Sequence, residues 1–229
     1  MYVVTGGTSG VGDRLVRKLF EAGEDVLTVA KDEKADFTVD FRLPFNSWAD
    51  DLRIALDDRG EVVDGIINCA GVNLLASHRD LGEQAFIDLF RVNALSQFYV
   101  FDVCRDYMVH GSPVCSIVSD AAWTPMTHSA AYNASKAAQH MIVRQMAHEE
   151  RDYNIFGIAP GKIADTGMSA YIDNAFPPMR GWTFDQGREY QLKGLKTGEM
   201  KPEFVAGFIM HLLENNSPHL HGHIFPIGG

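Results

Sequence analysis

Residues 5–12 read TGGTSGVG, with Gly6, Gly10 and Gly12 in the spacing G-x-x-x-G-x-G. A short apolar run at 2–5 precedes them, and a helical pattern of Val11, Leu15, Leu19 and Ala22 follows. Glycines at such a junction let the backbone turn tightly and approach a ligand closely, while the start of a helix offers unpaired N–H groups and the positive end of its dipole. Strand, glycine-rich turn and helix in that order make Gly6, Thr8, Ser9, Gly10, Val11 and Gly12 a candidate anion cradle. A tight turn without a ligand is the competing reading.

Outward from this stretch the chain repeats the same grammar. Short apolar runs near 2–5, 25–30, 36–40, 63–68, 114–118, 154–158 and 223–227 read as strands, and helical patterns near 10–22, 47–58, 83–109, 132–150 and 202–214 fall between most of them. Strands alternating with helices imply βαβ units and a parallel sheet covered on both faces, an α/β doubly wound arrangement of about seven strands. The connection from the second to the third strand breaks the rule, because only the six residues from Lys31 to Asp36 are available. Six extended residues span about 20 Å, enough to return along a short strand but too few for a crossover helix. The expectation is a shortened, bare connection and a sheet face less well covered near the third strand.

The 229 residues are expected to form a single domain, since no Pro/Ser-rich linker, charge block or repeat interrupts them. A composition 46% hydrophobic and 22% charged is that of an ordinary globular protein. A net charge of −10 opposes binding to nucleic acid or an anionic membrane, both of which need cations to neutralise phosphates. Small molecules are the expected partners and the cytoplasm the expected location, with no apolar run long enough to span a bilayer. Cys69, Cys104 and Cys115 are too few and too scattered for a disulfide framework or a paired metal site, and read as small core residues. From about 165 to 200 the period is lost among Met168, Tyr171, Phe176, Trp182, Phe184 and Tyr190. Such a segment is expected to be an irregular insertion, either a substrate lid or part of a subunit interface, the lid being favoured.

The stretch 132–136 reads YNASK. Tyr132 and Lys136, four apart, share one face of a helix. A unit charge about 4 Å from a phenol, at an effective dielectric of about 20, is worth about 4 kcal/mol, or about three pKa units. That is most of the shift needed to bring a tyrosine from its usual value of about 10 to about neutrality. The pair could equally be two polar residues sharing a helix surface, and spacing alone does not separate the two.

Taken together, TGGTSGVG, NCAG at 68–71, Asn93 in RVNALS, Ser119 thirteen residues before Tyr132, YNASK and PGKIADTGM at 160–168 resemble the short-chain dehydrogenase/reductase family, in that family's order and over nearly the whole chain. The resemblance implies a Rossmann-type dinucleotide fold and hydride transfer between a nicotinamide and a carbonyl or alcohol substrate. It implies an active-site set of Asn93, Ser119, Tyr132 and Lys136. Tyr132 would be the general acid/base, Ser119 a hydrogen-bond partner of the substrate oxygen, and Asn93 a holder of water in a proton path behind Lys136. Asn68, Ala70 and Gly71 would line the cofactor channel, with Cys69 in place of a commoner second Asn. Asp40 and Phe41 would cradle the adenine; Pro160, Gly161, Ile163 and Thr166 would hold the nicotinamide end, near Tyr132 and Lys136. Association as a homodimer or homotetramer is also implied.

At the end of the second strand, VLTVAKDE places Ala30 where an acid would bind the ribose hydroxyl of NAD, with Lys31 beside it. NADP is therefore favoured, while Asp32 and Glu33 keep NAD open. His128, in the loop between Ser119 and Tyr132, is a candidate substrate contact. The alternating His219, His221 and His223 are set aside as a metal site because no acid or thiol accompanies them. Two other functions compete with the reductase: a non-catalytic dinucleotide-binding redox sensor or regulator, and a nucleotide-sugar epimerase or dehydratase, for which the C-terminal segment is short.

Overall fold

The structure is a computed structural model that describes residues 1–195 and 198–228. Seven strands form one parallel sheet in the order β3-β2-β1-β4-β5-β6-β7. They are β1 (Tyr2–Thr5), β2 (Val26–Ala30), β3 (Phe37–Thr38), β4 (Gly65–Asn68), β5 (Pro113–Ile117), β6 (Asn154–Pro160) and β7 (Ile224–Ile227). The first strands are short and fully or nearly buried because both faces are covered.

Helices α1 (Gly10–Glu21) and α8 (Pro202–Glu214) pack together over one face. Leu15, Leu19, Val205, Ile209 and Leu213 close that layer against Val4, Ile67 and Phe156 of the sheet. The other face is covered by α2 (Ala49–Arg59), α4 (Ser96–Cys104) and α5 (Ala130–Glu149). There Leu52, Val100, Phe101 and Val143 meet Val3, Leu27, Ile66 and Val114. The single helix expected over 83–109 is a continuous helical path with a change of pitch: α3 (Glu83–Phe90), a π turn (Arg91–Leu95), α4 and a terminal 3-10 turn (Arg105–Tyr107). No helix among the described residues is long and apolar enough to cross a membrane.

The bare connection between β2 and β3 is present, and its consequence is visible. β3 is two residues long, pairs Val29 with Phe37 and Ala30 with Thr38, and leaves Thr38 exposed. Where a longer β3 would have paired with Thr28, the carboxylate of Asp36 substitutes, accepting from Thr28 N at 2.9 Å and Thr28 Oγ1 at 2.7 Å. A side chain thus takes over a ladder position that the short connection cannot fill.

The segment 165–200 departs from expectation. It is not irregular but forms α6 (Gly167–Met179) and α7 (Phe184–Lys193), with residues 196 and 197 outside the described residues. Thr166 caps α6 by accepting from Ser169 N at 3.0 Å, and Thr183 with Gln186 forms a capping box on α7. Pro177 and Pro178 near the end of α6 and Gly187 within α7 hid the helical period; a β-carbon at Gly187 would overlap the ring of Pro177, so the glycine permits the close crossing of the two helices.

Replacing Asp36 with Ala should cost about 1–3 kcal/mol in denaturant unfolding, because the buried N–H and hydroxyl of Thr28 lose their acceptor. A variant as stable as the parent would show that the carboxylate does not stand in for the strand.

Candidate active site

In open parallel sheets, ligands bind beyond the carboxyl ends of the strands where the strand order reverses. Here that point lies between β1 and β4, and a cavity of about 750 Å³ opens there. Its floor is the glycine loop. Gly6 and Gly10 adopt φ of 65° and 54°. A β-carbon on Gly6 would meet Ala70 N at 2.8 Å, and one on Gly12 would overlap the Gly6 carbonyl. Ser9, the N-cap of α1, makes no side-chain cap, which leaves the first N–H groups of the helix free for an anion. A loop without side chains, a bare helix start and the open channel over Gly71 fit a dinucleotide, whose pyrophosphate the loop and helix start would hold.

Most of the residues singled out from sequence line this one cavity: Gly6, Ser9, Gly10, Val11 and Gly12 on the floor, Ala70 and Gly71 after β4, and Pro160, Gly161, Ile163 and Thr166 after β6. Ser119, Tyr132 and Lys136 form its inner wall. Others lie elsewhere. Thr8 donates to Asp32 at 2.5 Å outside the cavity. The amide of Asn68 is buried and donates to Ser116 at 3.3 Å, so its neighbour Cys69 takes its place on the wall. Phe41 turns its ring into the core against Trp48, with centroids 5.2 Å apart, which leaves only its backbone for an adenine.

Asn93 is fully engaged, accepting from Val72 N at 2.8 Å and donating to Val72 O and Ser135 Oγ at 2.9 Å. It ties the loop after β4 to α5 rather than touching Lys136. His128 adopts a φ of 62°, packs on Phe176 and borders a second, shallower cavity instead of the main one. In the C-terminal tail, His221 accepts from Ile155 N through Nδ1 and so donates through Nε2 to Ala147 O at 2.6 Å. Among the described residues no three of His, Cys, Asp and Glu gather as metal ligands.

At the inner wall, α5 presents Tyr132, Ser135, Lys136 and Gln139 on its buried side. Tyr132 is 7% exposed and Lys136 only 4%. Burial disfavours whichever form carries charge. It pushes the phenol up to about 12, against the pull of the Ser119 hydroxyl, and brings the amine down to about 7. The Lys136 Nζ lies 5.9 Å from the centre of the Tyr132 ring. Ser119 accepts from Ala121 N at 3.1 Å and donates to Asp120 Oδ1 at 3.0 Å.

Asp120 escaped the sequence reading. Its carboxyl lines the cavity, its pKa is raised by burial, and while ionised it holds the one proton that Ser119 can donate. Arg42 was missed too: it grips Asp40, which also pairs with the 67% exposed Lys31 at 3.6 Å, and together they hold the Asp40 carboxyl down at about 2.

The cavity roof comes from α6 and α7. Met168, Ile172, Phe176 and Tyr190 face it, with Phe176 and Tyr190 stacked at 5.6 Å. Tyr171 accepts from Leu75 N at 2.9 Å on one side of the mouth. On the other, Lys162 pairs with Asp173 at 2.6 Å and Glu199 at 3.1 Å, and Arg188 bridges the same two acids.

A glycine loop at the switch point of a parallel sheet defines a nucleotide-binding α/β protein. The comparisons narrow this. The model of the short chain dehydrogenase family matches residues 46–175, more than half of the chain. Sorbitol-6-phosphate 2-dehydrogenase of Klebsiella pneumoniae is 26% identical over 257 aligned positions, covering 99% of this chain and 94% of the relative. A short chain dehydrogenase family protein from Francisella tularensis superposes with a TM-score of 0.88 at 21% identity, covering 99% of this chain and 96% of that one. L-sorbose reductase from Gluconobacter frateurii, solved with NADPH and L-sorbose, superposes at 0.84 and 18% identity over 100% and 95% of the two chains. The chain belongs to the short chain dehydrogenase family and is an NAD(P)-dependent dehydrogenase/reductase.

The buried amine has a consequence for stability. Lys136 releases its proton near pH 7 when folded, against an ordinary 10.5 when unfolded. Between those values the unfolded chain holds the extra proton, so stability rises with pH across that window and is lost as pH falls toward the folded value. Lys136→Met removes the cost of burying the charge and should stabilise the protein by about 3 kcal/mol more at about pH 6 than at about pH 9. A gain independent of pH would contradict this.

Proposed function

We propose that the protein is an NADP-dependent reductase of a ketone or aldehyde, running in reverse as an alcohol dehydrogenase, with Tyr132 as its general acid/base. What carries this reading is that the Tyr132 phenol, the Lys136 amine and the Ser119 hydroxyl line the same cavity as the glycine loop. A dinucleotide held on that loop would supply or accept the hydride through its nicotinamide. In reduction Tyr132 donates its proton to the carbonyl oxygen, and in oxidation it takes that proton from the alcohol. Ser119 holds the oxygen once its own proton is released from Asp120, a release favoured when Asp120 is protonated.

Magnitudes decide how much Lys136 does. To act as a base near neutral pH, a phenol at about 12 must fall by about five units, or about 7 kcal/mol. One ammonium at the 5.9 Å that separates Lys136 Nζ from the ring centre supplies about 3 kcal/mol at an effective dielectric of about 20. The remainder calls for a second positive charge, and the ring of an oxidised nicotinamide is one.

The chain is read as a single dinucleotide-binding domain whose segment 165–200 acts as a substrate lid. Support comes from the apolar and aromatic roof and from the tethers at Tyr171 and Lys162. Lys162 is neutralised by two acids, so the chamber suits an apolar or ring-bearing substrate. NADP rests on two cations, Lys31 and Arg42, beside the end of β2. One observation favours NAD as a second reading: Asp32, an anion, reaches Thr8 in the glycine loop.

Changing Tyr132 to Phe should lower kcat/KM for NADPH-dependent carbonyl reduction by about a hundredfold to ten-thousandfold with little change in unfolding temperature. Activity near the parent's would refute the assignment and favour the regulator. Lys31→Glu should cut kcat/KM for NADPH by about tenfold or more and leave that for NADH nearly unchanged; equal losses with both cofactors would argue against NADP.

A further inference from the structure

The amine beside Tyr132 is held by no acid. Lys136 Nζ donates to Ile117 O at 3.1 Å and to Gln139 Oε1 at 2.7 Å, on the next turn of α5. Gln139, 1% exposed, donates through Nε2 to Ile117 O at 3.2 Å and to Gln97 Oε1 at 3.1 Å on α4. Gln97, 2% exposed, donates through Nε2 to the main-chain oxygen of Gln139 at 3.3 Å.

Packing alone distinguishes the two ends of an amide poorly, but a carbonyl can only accept. The Gln139 carbonyl therefore requires the amino end of Gln97, which turns Gln97 Oε1 toward Gln139. Ile117 O and Gln97 Oε1 in turn require the amino end of Gln139. Its oxygen is left aimed at the ammonium. Two main-chain carbonyls thus set the sense of both amides and give Lys136 a fixed acceptor that is neutral.

The titratable groups around the amine do not compensate. Cys69, after β4, stays a neutral thiol, pushed up to about 12 by burial. Tyr132 on the same helix is neutral, and Asp120 lies beyond it, beside Ser119. No acidic side chain pairs with Lys136 among the described residues.

We propose that Gln139, oriented by Gln97, is the positioning residue of this active site: it holds the Lys136 amine against β5 and, being uncharged, sets the upper pH at which that amine keeps its proton. The inference rests on the proposed role of Lys136 for its effect on turnover, but the charge state itself can be read in the cofactor-free protein. A carboxylate at the same place would hold the ammonium to higher pH, and an apolar side chain would withdraw even the dipole.

The test follows the Lys136 Cε resonance by carbon NMR against pH in the cofactor-free protein, assigned by its loss in Lys136→Met, alongside pH profiles of kcat/KM for carbonyl reduction. Gln139→Glu should raise the Lys136 midpoint by about one unit or more and Gln139→Leu should lower it. Gln97→Leu, which frees Gln139 to turn over, should lower it by less, and it carries the test should Gln139→Leu fail to fold. The alkaline limb of turnover should move in the same directions. Midpoints unchanged across these variants would overturn the proposal. Midpoints that move while the turnover limb stays fixed would uphold the positioning and count instead against a catalytic part for Lys136.

Discussion

Everything at the inner wall follows from burying a phenol and an amine side by side, with little of either left open to the cavity. In water the tyrosine would lose its proton near 10 and the lysine near 10.5. Within α5 burial drives them apart, the phenol up to about 12 and the amine down to about 7. Both groups are thereby biased toward their neutral forms in the cofactor-free protein. A neutral pair keeps the cost of burial small, and under the proposed function a positive charge arriving on the cavity side would make the phenol's proton transferable.

The fold exists around that wall in a definite sense. The parallel sheet aligns the carboxyl ends of β1, β4, β5 and β6 at one edge, so loops far apart in sequence converge on one cavity. The glycine loop contributes backbone without side chains, α5 crosses beneath Ser119, and the α6–α7 pair closes the top. Asn93 in its π turn fastens the loop after β4 to Ser135, one residue from Lys136. Single π turns of this kind inside a helix are frequent at functional sites.

Much of this was legible in the residues. The alternation of apolar runs and helical patterns was enough to recover all seven strands, and the six residues between β2 and β3 foretold a connection without a helix, though not that the strand expected at 36–40 would shrink to Phe37–Thr38. YNASK and Ser119 do share one wall. What escaped reading depended on partners distant in sequence. Gln139 and Gln97 are 42 residues apart, yet a glutamine on the buried face of α5 was a visible clue. Arg42 and Asp120 looked like ordinary charges because only the folded chain brings them to Asp40 and Ser119. The helices α6 and α7 were obscured by prolines and glycine that serve their crossing. Phe41, Asn68 and Asn93 sit where the family pattern puts them in sequence, but their side chains are turned inward to core, strand and loop, which a motif does not reveal.

The central claim, that a buried phenol gives up its proton at neutral pH only when positive charge arrives beside it, is tested most directly by a tyrosinate absorbance titration. The protein would be titrated without cofactor and again saturated with oxidised NADP, each against Tyr132→Phe so that the difference belongs to one residue. The account predicts that this tyrosine ionises well above pH 10 when the protein is empty and falls by several units when it is loaded. A midpoint that is the same in both states, or already near neutrality without cofactor, would contradict it.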